Sequence, residues 1–211
     1  MLIAGNLWGF LFELSLPPAA LDRFIFLYGF VPSRLWSGEY GLRASAGTIF
    51  VAMFLHAGWM HFGGNMLFLY IFGDNVEDRL GHFRYLVFYL ACGLAASLCH
   101  AFFNPTSRLP SLGASGAISG VLAAYLFLYP RARILTLIPI FLFFTTEVPA
   151  FLFIVFWFVV QFFSGTASLS TSTATTGGTA YFAHIGGFVA GLVLLAALKP
   201  PRKPPPAISW G

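Results

Sequence analysis

Ser115 stands in Gly113-Ala114-Ser115-Gly116, and His184 stands in Ala183-His184-Ile185-Gly186-Gly187, each near the start of an apolar stretch. A serine and a histidine are the minimal parts of an activated hydroxyl nucleophile, with the imidazole taking the hydroxyl proton. Polar groups in lipid-embedded stretches are costly and are functional candidates by default. For Ser115, a small-residue packing face competes with a nucleophile at a helix start. In the second role its glycines allow close approach, and the free N–H groups of the helix amino terminus face a developing oxyanion. Ser119 is a rival, but it lacks a glycine two residues before it and lies one turn deeper. For His184, a packed ring bonded to a backbone carbonyl competes with a general base. Gly187 and Gly191 follow it at a spacing of four, the spacing of Gly116 and Gly120 after Ser115. Glycine faces on both helices would bring the imidazole within reach of the hydroxyl.

A third cluster holds His56, His61 and Asn65. His61 and Asn65 are four apart and share a helix face, and both can donate hydrogen bonds. A metal site is the competing reading. Asparagine is a poor transition-metal ligand, no Cys or acid is near, and HExxH is absent. The expected role is an oxyanion hole made of the Asn65 amide, the His61 ring N–H and the Ser115 backbone N–H, with no metal and no cofactor. His56 is expected to brace the link before this helix. Of the seven acids, only Glu13 falls in an apolar span near the outward helix ends. A Ser–His dyad without a carboxylate is therefore expected, rather than a triad.

The elements that must position these residues are apolar. Of 211 residues, 58% are hydrophobic and 9% are charged, against about 25% charged in soluble domains. Mean hydropathy is +0.83. A polytopic membrane protein follows. The net charge of +4 suits basic cytoplasmic ends, and no basic patch interleaved with aromatics points to nucleic acid. Six spans can be drawn: 2–16, 60–72, 83–103, 112–129, 148–163 and 180–198. Thr145-Thr146-Glu147 reads as a cap for the fifth, with Pro149 in its first turn. Residues 134–144, with Pro139 inside, read either as an interfacial segment or as an extension of the fifth span. The link 17–59 is too apolar for a solvated loop and is expected on the outer membrane surface. Cys92 and Cys99 lie seven apart on one helix, about 10 Å, too far for a disulfide, and read as packing.

No cleavable signal peptide is visible. The first span rises only about 22 Å against a hydrocarbon core near 30 Å, so the natural chain is expected to begin upstream. Arg79, Arg84, Arg131, Arg133, Lys199, Arg202 and Lys203 mark one side, and Arg23, Arg34, Arg43 and Arg108 the other. The richer side should be cytoplasmic, and with it both termini. Ser115 and His184 then lie at similar depth near the outer ends of two inward-running helices. The organisation expected is a membrane domain over 1–199 and a proline-rich cytoplasmic tail over 200–211. The uncharged Ser/Thr-rich stretch 165–178 reads as a flap over the site or as a connector.

Together these residues resemble the rhomboid family of intramembrane serine proteases. Ser115 matches its GxSG nucleophile, and Ala183, His184, Gly187 and Gly191 match its AHxxGxxxG. His56, His61 and Asn65 match its HxxxxHxxxN, and Glu77 lies in Gly73–Gly81, similar to its GxxxExxxG at the cytoplasmic end of helix two. The resemblance implies an all-α membrane protein, a bundle of six transmembrane helices with a cavity open outward, in a bacterial inner membrane. It implies cleavage of a partner's transmembrane segment near its outer end, often after a small residue, through an acyl-enzyme and without a cofactor. Some members place a tyrosine one turn after the serine, stacked on the histidine. Here that position is Ser119, so His184 needs another support, for which Tyr181 and Phe182 are the candidates. The Trp-Arg pair many members carry in the first loop is not clear. An inactive relative that binds membrane-protein clients would lack the serine or the histidine. A small transporter would show matching repeats or broken helices, and no convincing repeat is present.

Overall fold

The computed structural model describes residues 1–38, 41–140, 142–170 and 180–198. The chain starts with α1 (Leu2–Ser15), which Pro17-Pro18 ends; Pro18 opens α2 (Pro18–Tyr28), where its missing N–H costs nothing. Two further short helices, α3 (Pro32–Ser37) and α4 (Leu42–Ala52), complete the link. The second rod is composite. α5 (Trp59–Phe68) passes through a π-helical turn (Leu69–Gly73) into α6 (Asp74–Leu80). Then come α7 (His82–Phe103), α8 (Ser115–Leu128), α9 (Ala150–Ser170) and α10 (Tyr181–Leu198). The fold is the helical membrane bundle expected from composition. By length and apolar composition, His82–Phe103, Ala150–Ala167 and Tyr181–Leu198 can each cross a bilayer.

One segment departs from expectation. Two strands, β1 (Arg133–Ile140) and β2 (Leu142–Pro149), pair antiparallel from Arg133↔Pro149 to Ile140↔Leu142. Their run of Ile, Thr, Phe and Val suits a pleated surface better than a helix, and Pro139 breaks helical bonding. The segment is thus not an extension of the helical fifth span. Thr145–Glu147 form no cap, because the helix begins at Ala150, whose N–H donates to Ala132 O at 2.9 Å. Arg133 and Glu147 face each other across the strands at 3.3 Å.

α8 is the central rod. Every residue from Gly116 to Tyr125 is buried, with α7, α9, α10 and the second rod around it. Small residues make this possible. A Cβ placed on Gly187 would run into the Gly116 carbonyl oxygen, and one on Gly191 would lie 2.5 Å from that of Gly120. On the third side, Cys92 packs on Gly120 and Cys99 on Gly186, both as free thiols. Below this contact the core is large and aromatic, with Phe72, Phe88, Tyr89, Val121, Leu122 and Ile154 all at most 1% exposed.

The link is fastened to the loop that precedes α8. Phe30 and Ser111 exchange backbone hydrogen bonds at 3.1 and 2.7 Å, and Gly113 N–H donates to Ala52 O at 2.8 Å. Trp36 Nε1–H donates to Ala101 O at 3.0 Å. At the far end of α6, Glu77 Oε1 meets His82 Nδ1 at 2.6 Å, away from the Ser115 end of the bundle. Residues 171–178 of the suggested flap and the whole 200–211 tail lie outside the described residues; residues 165–170 continue α9.

Candidate active site

α8 has fourteen residues, a rise of about 21 Å, so it falls short of a hydrocarbon core near 30 Å. Ser115 is its first residue. The first intrahelical bond at this end runs from Ile118 N–H to Ala114 O at 3.0 Å. That leaves the N–H groups of Ser115 to Ala117 ahead of the ladder, where a helix presents positive dipole. α10 crosses α8 at the glycine contact, and His184 lies one turn into it. The result is a hydrogen bond of 2.8 Å between Ser115 Oγ and His184 Nε2. Ser119 is buried and donates its hydroxyl to Ser115 O at 2.7 Å, so it is committed to the helix backbone.

α5 brings its face alongside. Gly113 has φ +118°, a backbone conformation that favours glycine, and a Cβ there would lie 2.7 Å from His61 Nε2 and 3.6 Å from Asn65 Nδ2. Both side chains therefore lie against the strand of backbone leading to Ser115. The Ala57 N–H donates to His61 Nδ1 at 3.4 Å. With Nδ1 accepting, a neutral ring carries its proton on Nε2, on the Gly113 side. Asn65 is buried, and its Nδ2 donor has no hydrogen-bond partner among the described residues. A buried unpaired donor is costly, and this one lies beside the Ser115 loop. The Asn65 and His61 donors thus lie together at Gly113, two residues before Ser115.

His56 lies in the turn before α5. Its backbone N–H donates to the Glu13 carboxylate, 3.0 Å to the nearer oxygen, and its ring packs edge-on against Phe10 and Phe62. Burial pushes the His56 ring down to about 4. Glu13 is thereby held at the link. The group behind His184 is instead Gln161, whose Oε1 lies 2.7 Å from Nδ1. Trp157, one turn earlier on α9, places its ring centroid 5.5 Å from the imidazole. Tyr181 and Phe182 do not supply this support: Phe182 stacks on Phe103 at 4.3 Å, and the Tyr181 Cβ lies against Gly165. Sequence reasoning passed over Gln161, although it is the sole amide in the apolar run 150–163.

Beside Ser115 opens a small cavity of about 30 Å³, lined by Met53, Gly93, Ala96, Ser97, Gly116 and Ala183, among others. Among the described residues, no three His, Cys, Asp or Glu side chains are grouped to hold a metal ion. The arrangement can activate a hydroxyl, hold a tetrahedral oxyanion and accept a group about the size of a methyl.

A family model of the rhomboid domain matches residues 43–201. Similar curated proteins include the mitochondrial rhomboid protein 1 of Saccharomyces cerevisiae, 33% identical over 150 residues, which are 69% of this chain and 40% of that protein. The chloroplastic rhomboid-like protein 11 of Arabidopsis thaliana is 43% identical over 72 residues, 34% of this chain and 25% of its own length. The rhomboid protease GluP of Bacillus subtilis is 44% identical over 73 residues, 35% of this chain and 14% of its own. The chain thus spans less than half the length of each of these relatives.

Proposed function

The chain belongs to the rhomboid family, and from that premise we propose that it is an intramembrane serine endopeptidase working through a Ser115–His184 dyad. The observation that carries the proposal is the 2.8 Å bond from the Ser115 hydroxyl to His184 Nε2. Ser115 Oγ attacks the carbonyl carbon of a peptide bond while Nε2 takes its proton. The carbonyl oxygen becomes an oxyanion held by Asn65 Nδ2, His61 Nε2–H and the Ser115 N–H. The imidazolium then gives its proton to the leaving amine, and the acyl group stays on Ser115. Water, deprotonated by His184, hydrolyses that ester and restores the enzyme.

The substrate is a transmembrane segment of another protein, because the site lies within the depth of the bilayer. A peptide bond there must first leave its helix, so the cut falls near the segment's outer end, where helices fray. The glycine- and alanine-lined cavity of about 30 Å³ favours a small residue before the cleaved bond. The catalytic residues open to the outer side, and both termini lie in the cytoplasm.

The test is cleavage, in proteoliposomes, of a single-span protein carrying alanine at a helix-destabilised outer position. Wild type should cut it, and Ser115→Ala and His184→Ala should not. Replacing the alanine by phenylalanine should reduce cutting at least tenfold. A folded wild type that cuts no member of a panel of such segments would instead favour a client-binding, non-catalytic protein.

A further inference from the structure

We propose that Gln161 is a positioning residue for the reaction, holding His184 in the one tautomer that can act as a base. The inference rests on the Ser115–His184 reading and adds a third member to it. For Nε2 to accept the Ser115 hydroxyl, it must carry no proton at rest. A neutral imidazole then carries its proton on Nδ1. Nδ1 lies 2.7 Å from Gln161 Oε1, an atom that only accepts. With the amide oxygen turned to the ring, as here, that contact is a hydrogen bond in this tautomer and a lone-pair repulsion in the other. The two bonds, 2.7 Å on one side of the ring and 2.8 Å on the other, therefore select the same state.

Burial gives the contact weight. Gln161 and His184 are only 9% and 7% exposed, so an unpaired polar group on either is costly. Among the described residues no carboxylate is bonded to His184: Glu13 is taken by the His56 N–H, and Glu77 lies at the far end of α6 with His82. Trp157, on the same face of α9 as Gln161, closes on the ring from the side and limits its rotation. Ser119, a short side chain turned to its own helix, leaves that task to α9. An amide suits a site within lipid. Its carbonyl dipole steadies the imidazolium formed when the proton moves, yet no second charge is buried in the resting enzyme.

The test separates shape from acceptor. Gln161→Met keeps the length of the side chain and removes the acceptor, whereas Gln161→Glu keeps an oxygen in the same place. Two rates are read on purified, detergent-solubilised protein: Ser115 labelling by a fluorophosphonate, and turnover of a fluorogenic transmembrane peptide with alanine at its cleavage position. Gln161→Met should lose roughly 10- to 100-fold in labelling rate and kcat, with KM and melting temperature close to wild type. Gln161→Glu should keep both rates within about threefold. Gln161→Leu repeats the test in a second apolar shape should the methionine variant fold poorly. Wild-type rates in a folded Met or Leu variant would overturn the proposal, as would equal damage in Met and Glu. Labelling of wild type that survives Ser115→Ala would remove the dyad itself, and the proposal with it; labelling lost in Ser115→Ala but untouched in Gln161→Met removes only the proposal.

Discussion

A hydroxyl set among apolar side chains reacts only if the group beside it can take its proton, so at the residue scale the proposed chemistry rests on the 2.8 Å contact between Ser115 and His184. The donors matter next. Asn65 Nδ2 is buried without a partner among the described residues, so removing it should relieve the resting protein while stripping the transition state. Asn65→Ala should lower kcat about 100-fold or more with no loss of melting temperature; turnover at the wild-type rate would remove Asn65 from the oxyanion role. Ser119→Ala should keep fluorophosphonate labelling within about twofold of wild type, since that hydroxyl is bonded to Ser115 O, and loss of labelling would revive Ser119 as the nucleophile. Ser115, His184, His61 and Asn65 could be singled out in the sequence because each is polar, oddly placed and set at helical spacing to small residues. Gln161 is equally odd, one amide in the apolar run 150–163. It went unmarked because no spacing within α9 ties it to a residue on α10. Only the packing of the two helices does.

At the scale of elements, the glycine contact between α8 and α10 is what turns two distant motifs into one site. It was legible as two stripes with a period of four, whose helical meaning needs no tertiary information. Gly187→Val should force the helices apart, because its side chain would meet the Gly116 carbonyl. Overpacking of this kind costs about 1–3 kcal/mol or more. A lower melting temperature together with loss of labelling is expected, and a stable, fully labelled variant would contradict the account. The pairing of β1 with β2 was not legible, because a short apolar run with one proline fits an interfacial piece or a helix extension equally well. The turn before α5 offers a pH test. The buried His56 ring stays neutral down to about pH 4 when folded, whereas in an unfolded chain it protonates near 6.5. Between those values the unfolded state binds more protons, so stability falls as pH drops from about 6.5 toward 4. Melting temperature should therefore fall more steeply from pH 7 to 5 in wild type than in His56→Leu; parallel curves would deny His56 this part.

For the whole molecule, what looks like a defect is adaptation to solvent. Phe156, Phe163 and Val193 are 64–70% exposed, which is unfavourable in water and neutral against lipid tails. The three helices long and apolar enough to cross a bilayer, His82–Phe103, Ala150–Ala167 and Tyr181–Leu198, were legible because lipid demands long apolar runs, whereas the second expected span is built from three pieces, and its π-helical turn left no mark in the pattern. The proposed sidedness rests on charge: Arg79, Arg84, Arg131 and Arg133 lie at helix ends assigned to the side opposite Ser115. A reporter domain fused after residue 211 should therefore fold and report from the cytoplasm, and an outward-facing reporter would invert the proposed topology. The central claim is that one serine within this bundle is activated by one histidine. The most direct measurement is to treat the purified protein with a fluorophosphonate and locate the adduct by mass spectrometry of its peptides. The account predicts one adduct, on Ser115, lost in His184→Ala. An adduct on any other serine, or an unchanged Ser115 adduct without His184, would contradict it.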